Sequence, residues 1–269
     1  MSAYTVPDPP VNAAMPATTQ TVLIAVMAIL AVGWLITAAA LTRRQKSLIP
    51  IFVTIGGVLA LGYEPLGDWL ELAWYPAVGQ ITAVQLFGRS VPLFIGLLFV
   101  FYFGAVAVGT IKLIDSGLTW RKWWMFAGGV LVGQTIFEMI CIACGHPWLY
   151  YGKQPFVVLH LPLWIMFTCV SFQILCGASI YAIRTHLPVG LHWLAIPAMP
   201  LLFLAGHGAS ALPGAVALHS TDNTALIWIG ATGSIAVSTG IVWVIGVLLM
   251  RRPVTATPAP AGRQKVGQA

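Results

Sequence analysis

Val91 to Ile111 read VPLFIGLLFVFYFGAVAVGTI, without one charged side chain. A helix that crosses the hydrocarbon core of a bilayer takes about 20 such residues. This run extends over about 91–113, and runs of the same character recur near 21–41, 48–63, 124–144, 161–184, 191–212 and 225–250. The chain is therefore expected to be all-α, a polytopic integral membrane bundle of seven transmembrane helices. Most runs are apolar all round, so periodicity alone does not assign their lipid-facing sides.

Composition agrees. Of 269 residues, 59% are hydrophobic and 7% are charged, and mean hydropathy is +0.89. A soluble domain carries about a quarter charged residues. A soluble enzyme, a disulfide-stapled secreted domain, a coiled coil and a disordered scaffold are excluded. The net charge of +6 does not point to nucleic acid. The basic residues stand in small groups beside apolar runs, where orientation signals belong, and form no exposed basic face.

Residues 1–20 hold one acid, Asp8, several prolines and no Lys or Arg. The positive stretch that opens a signal peptide is missing. The expected organisation is a disordered leader over 1–20, a seven-helix domain over 21–250 and a disordered tail over 251–269, rich in Pro and Ala.

The connections alternate in charge. Arg43, Arg44 and Lys46 follow the first run, Arg121 and Lys122 the third, Arg184 the fifth, and Arg251, Arg252, Arg263 and Lys265 the seventh. The intervening connections hold Glu64, Asp68, Glu71 and Arg89, then His146, Lys153 and His160, then Asp222. By the positive-inside rule the N-terminus is expected outside and the C-terminus in the cytoplasm. The last run, Ala225 to Met250, contains no lysine, which excludes a retinal Schiff base of the microbial rhodopsin kind.

Charge in lipid is costly, so its placement is informative. Of seven acids, Asp8 lies in the leader and Asp115 on the expected cytoplasmic side. Glu64 closes the second run, Glu138 lies in the outer half of the fourth, His207 in the outer half of the sixth, and Asp222 in the last outer connection. These groups fall at similar depth and would line one outward-facing cavity. Gln134 precedes Glu138 by four residues and shares its helix face. A carboxyl in a low-dielectric site favours its protonated form, which suits a general acid or a proton relay. Structural bonding between helices is the other reading.

The stretch Gly62-Tyr-Glu-Pro-Leu-Gly-Asp-Trp-Leu-Glu-Leu-Ala-Trp-Tyr-Pro76 is the most distinctive. Pro65 biases Glu64 away from helix, so the second helix is expected to end there. Asp68, Trp69, Trp74 and Tyr75 follow it. His146, Trp148, Tyr150 and Tyr151 form a second aromatic stretch after the fourth run. The two stretches read as a lid over a pocket that handles positive charge, or as an interfacial belt. Arg89 would neutralise one of the nearby acids.

Other motifs fail. Cys141-Ile-Ala-Cys144 is followed by Gly145, where haem attachment needs His. Cys141, Cys144 and His146 lack a fourth zinc ligand, and Cys169 and Cys176 read as small packing residues. Asp68-x-x-Glu71 is one carboxylate short of a magnesium-diphosphate site. Gly129 and Gly133 form a G-x-x-x-G expected to allow close helix approach, and Pro197 and Pro200 are expected to kink the sixth helix below His207. No cofactor and no metal are expected.

In size, span count and the acid at the end of the second helix, the chain resembles the small seven-helix integral membrane terpene cyclases of fungal meroterpenoid pathways and their bacterial relatives. That resemblance implies an acid that protonates an epoxide or alkene and starts a carbocation cascade. Glu64 matches the first acid of that family, and Asp222 or Glu138 takes the place of a later one. The expected machinery is Glu64, Glu138, Asp222, Asp68 and His207. Trp69, Trp74, Tyr75, Gln134, His146, Trp148, Tyr150 and Tyr151 are expected to bind a lipid-soluble substrate reached from the membrane lipids, and no nucleic acid is involved. A proton-coupled carrier using Glu138 and His207, and a non-catalytic membrane sensor, are the alternatives.

Overall fold

The structure is a computed structural model that describes residues 4–251. It contains α1 (Ala17–Gln45), α2 (Ile49–Ala60), α3 (Glu64–Glu71), α4 (Leu93–Asp115), α5 (Trp120–Ala143), α6 (Leu163–His186), α7 (Ala195–Ser220) and α8 (Thr224–Met250). A 3-10 turn, Leu61–Tyr63, joins α2 to α3, and another, Val189–Leu194, leads into α7. Taken with those turns, seven helical segments are long and apolar enough to cross a membrane. The chain is an all-α seven-helix bundle of the multi-pass membrane kind.

Helix ends follow local chemistry. The Thr119 hydroxyl accepts from the Lys122 N–H and starts α5, and Asn223 Oδ1 accepts from the Ala225 N–H at 2.9 Å and starts α8. Lys46 and Leu72 close α1 and α3 in left-handed geometry, at φ 50° and 53°.

The second span corrects the expected stop at Glu64. Pro65 lies in the first turn of α3, where a missing N–H costs nothing, so the chain tightens through one 3-10 turn and resumes as helix to Glu71. Residues 4–16, expected as part of a disordered leader, are laid against the bundle instead. The Tyr4 hydroxyl donates to the Leu218 carbonyl at 2.8 Å, Ala14 bridges Val78, and helix begins at Ala17. Of the expected tail, residues 252–269 lie outside the described residues.

Helix α6 is the centre, packed on α4, α5, α7 and α8, with Trp164, Ile165, Met166, Ile174 and Ile180 buried. Helices α7 and α8 approach closely at Gly230, where a Cβ would stand 2.6 Å from the Pro213 carbonyl oxygen. By contrast, Gly129 and Gly133 face open space. The G-x-x-x-G spacing is present, but among the described residues no helix meets it. Pro197 falls in the first turn of α7, and Pro200 and Pro213 lie inside it.

Three small ladders gather at one end of the bundle. β1 (Ala73–Trp74) pairs antiparallel with β4 (Leu149–Tyr150), which ties the connection after α3 to the one after α5. β2 (Thr82–Leu86) and β3 (Arg89–Pro92) form a hairpin turning at Phe87 and Gly88, with φ 53° and 71°. β5 (Val157–Val158) and β6 (Leu161–Pro162) form another, turning at Leu159 and His160. The opposite end has short connections and the exposed Arg184–Asp115 ion pair.

Candidate active site

Because α3 continues past Pro65, Glu64, Asp68 and Glu71 fall at i, i+4 and i+7 on one helical face. That face looks into a cavity of about 100 Å³ inside the bundle, at the end that carries the ladders. Helix α5 contributes Glu138 and Gln134 to the same cavity, and α7 contributes His207. Acids from two distant segments therefore share one enclosed space.

Most of the polar groups have a defined neighbour. His207 Nε2 lies 2.7 Å from Glu71 Oε1, and the Thr168 hydroxyl donates to the same oxygen at 3.3 Å. The Tyr75 hydroxyl donates to Glu64 Oε1 at 2.9 Å, and the Tyr150 hydroxyl donates to Glu138 Oε2 at 3.1 Å. Burial pushes both phenols well above their usual range, and the neighbouring carboxyls add to it, so each remains a donor. The Tyr102 hydroxyl donates to Gln134 Oε1 at 3.0 Å, while Gln134 Nε2 donates to the Met166 carbonyl at 2.9 Å. Gln173 Nε2 donates to both Tyr102 and Gln134.

The remaining wall is aromatic. Phe203 stacks on His207 with centroids 5.5 Å apart, and Phe172 meets that imidazole edge-on at 5.6 Å. Phe99, Phe103 and Trp148 also line the cavity. Gly67 is required for this packing, since a Cβ there would come within 2.9 Å of His207 Cε1. The ladder β1–β4 sets Tyr75 and Tyr150 in the cavity wall, each directly after or within a paired strand.

Of the residues expected to form the site, Glu64, Asp68, Glu138, His207, Tyr75, Gln134, Trp148 and Tyr150 line the cavity. Five do not. Asp222 is exposed in the α7–α8 connection, where its backbone carbonyl accepts from Lys153 Nζ at 2.8 Å. Trp69 points out of α3 and packs on His219. Trp74 is buried beneath the Arg89 guanidinium, 5.4 Å from it, because alternation along β1 turns it away from the cavity. Tyr151 accepts from Arg89 at 2.9 Å, and His146 packs against His160. Arg89 also donates to the Ala73 carbonyl at 2.5 Å, so it clamps the connections while its charge still acts on Asp68, without a close ion pair among the described residues.

The structure adds Glu71, Tyr102, Cys169 and five phenylalanines, Phe137 among them, to the lining. Glu71 was readable from its spacing to Glu64 and Asp68, given a helix that continues. The phenylalanines carry no sequence signal that separates a cavity wall from a packed core. Cys169, read as a packing residue, borders the cavity, whereas Cys176 is buried. Among the described residues no three His, Cys, Asp or Glu side chains are grouped to hold a metal ion.

The arrangement combines carboxyl groups, hydroxyl donors that orient them and electron-rich ring faces around one cavity. Comparison of the chain with protein-family models, with curated proteins and with solved structures gave no match.

Proposed function

We propose that this chain is an integral membrane enzyme that protonates an isoprenoid lipid and guides the resulting carbocation through cyclisation or isomerisation. The observation that carries this reading is the convergence of Glu64, Asp68, Glu71 and Glu138 on one aromatic-walled cavity with a single imidazole. Four carboxyls facing one histidine in a low dielectric do not all hold negative charge, so protons stay in the cluster. In the proposed step a carboxylic O–H adds its proton to an alkene carbon or an epoxide oxygen. A tertiary cation forms, a neighbouring double bond attacks it, and an adjacent C–H returns a proton to a carboxylate. The product is an isomer of the substrate, and no further reactant is consumed.

Tyr75 and Tyr150 hold Glu64 and Glu138 in fixed orientation. The rings of Phe99, Phe103, Phe172 and Phe203 offer negative faces to the cation. The cavity is smaller than the roughly 150 Å³ that takes up benzene, so it receives the reacting end of the lipid rather than its whole length. In this reading the N-terminus lies outside and the substrate reaches the cavity from that half of the membrane. The reading agrees with the resemblance to membrane terpene cyclases, with Glu64 in the first acid's role and Glu138, rather than Asp222, in the second.

Membranes bearing the protein are expected to convert an isoprenoid precursor into a product of equal mass and altered retention. Glu64→Gln and Glu138→Gln should fold, and each should lose that product by at least about a hundredfold, the usual contribution of an acid-base group. Normal turnover in both variants would remove the proposed acids.

The buried Glu71–His207 pair favours a second reading, a proton-coupled carrier that passes protons through this couple. It predicts proton-linked flux in liposomes without a new chemical product.

A further inference from the structure

We infer that the basin outside the cavity mouth, lined by His146, Lys153 and His160, binds the phosphate-type oxyanion of a phosphorylated lipid substrate. This rests on the enzyme reading above and narrows its substrate class to prenyl phosphates or diphosphates.

The basin has a volume of about 290 Å³, and no carboxylate lines it. Its wall toward the bundle is made by Trp148 and Tyr150, which are also the wall of the acidic cavity. One layer of side chains therefore separates a cationic surface basin from an aromatic, carboxyl-bearing interior. A ligand with an anionic head and an isoprenoid tail matches that order.

The donors are available. Among the described residues neither imidazole of His146 or His160 has a hydrogen-bond partner, and the two rings meet edge-on at 4.8 Å. Lys153 Nζ makes one bond, to the Asp222 carbonyl, which leaves further ammonium protons to offer. Charge placement adds a second argument. Among the described residues, every lysine and arginine other than Arg89 and Lys153 belongs to the opposite end of the bundle. Arg89 is buried and committed to Ala73 and Tyr151. Among the described residues, the one exposed Lys or Arg kept at this end stands at the basin. The segment is also held in unusual geometry, with His146, Phe156, Leu159 and His160 all in left-handed conformation, at φ 55°, 55°, 49° and 66°. Such backbone is costly for side chains other than glycine and persists where the surrounding structure enforces it.

Anchoring the head here fits the proposed chemistry. Protonation of a distant double bond breaks no carbon–oxygen bond, so the phosphate ester stays intact and acts as a handle. Its binding energy orients the chain against the acids inside.

The test measures binding to the purified full chain in detergent, apart from turnover. The probes are a short prenyl diphosphate, the matching prenyl alcohol and inorganic diphosphate. The prenyl diphosphate should bind at least about tenfold more tightly than the alcohol, the worth of one charge-assisted hydrogen bond. Lys153→Gln and the double variant His146→Gln/His160→Gln should each erase most of that difference while leaving alcohol binding unchanged. Equal affinity for diphosphate and alcohol, or variants that keep the full difference, would overturn the site. Lys153→Arg, which keeps the charge, should retain binding and serves where the neutral variant is unstable. Inorganic diphosphate binding as tightly as the prenyl ester would keep the oxyanion site but assign it to free anions. Retained diphosphate binding without conversion would sink the enzyme reading and leave the basin standing. Conversion of the prenyl diphosphate unaffected by Lys153→Gln would do the reverse.

Discussion

Glu71 closes α3, and its side chain ties three helices together, accepting from Thr168 on α6 and meeting His207 on α7. The pair is buried on both sides. Two polar groups taken from water hold each other at little net gain, yet removing one strands the other, at about 3–5 kcal/mol. Glu71→Leu and His207→Leu should therefore each destabilise the protein by roughly 3 kcal/mol, whereas the double variant should cost far less than their sum. Thermal unfolding in detergent measures all three, and additive losses would show that the contact carries no coupling. The partnership was only half legible in the sequence. Both groups stood out as ionisable residues in an apolar chain, but Pro65 read as the end of one helix, whereas it stands in the first turn of the next. Only the second alternative puts Glu71 on the face of Glu64 and Asp68. Arg89 was legible in part: a lone cation among acids acts on Asp68 as expected, but its hydrogen-bond acceptors are a backbone carbonyl and a phenol, which leave no trace in composition.

Helix α7 carries Pro213 in its interior, and the proline removes one rung of the backbone ladder. The repair comes from α8. The Ser234 hydroxyl accepts from the Gly214 N–H at 2.9 Å and donates to the Ala211 carbonyl at 3.2 Å. In lipid no water is at hand for backbone groups, so a neighbouring hydroxyl supports the backbone on either side of the proline. Gly230 and Gly233 lie against Pro213 and let α8 come near enough. Ser234→Ala should cost about 1–3 kcal/mol, because two buried backbone groups lose their partner. Ser238→Ala, whose hydroxyl donates only to the Ser234 carbonyl in its own helix at 2.7 Å, should cost less. Urea or thermal melts of the two variants compare them, and equal losses would deny the repair. At this scale the apolar runs foretold where helices lie, since length and hydropathy suffice. They did not foretell which small residues meet a partner. Gly129 and Gly133 have the spacing of a packing motif and face open space, while Gly230, without that pattern, sits at a close approach. Spacing describes what one surface permits, and contact depends on the other.

Across the whole molecule, charge and chemistry divide between two ends. Arg43, Arg44, Lys46, Lys112, Arg121, Lys122, Arg184 and Arg251 belong to the end with short connections. The end with the ladders holds the cavity mouth, the phosphate basin and Asp222. This division was readable from loop order alone, because alternation of spans sorts every connection to one side or the other. Cationic loops resist translocation, so the arginine-rich end is expected in the cytoplasm and the cavity mouth outside. Cysteine placement allows a direct check. Cys144 is exposed at the end of α5 on the side of the bundle that carries the ladders, whereas Cys141 and Cys176 are buried and Cys169 borders the cavity. A membrane-impermeant maleimide applied to intact cells should label the wild-type chain, and Cys144→Ser should remove that labelling. Labelling that appears only after the membrane is broken would place the mouth in the cytoplasm. The proposed substrate would then have to be drawn from the inner leaflet, with the cationic loops on the outer face against the charge rule.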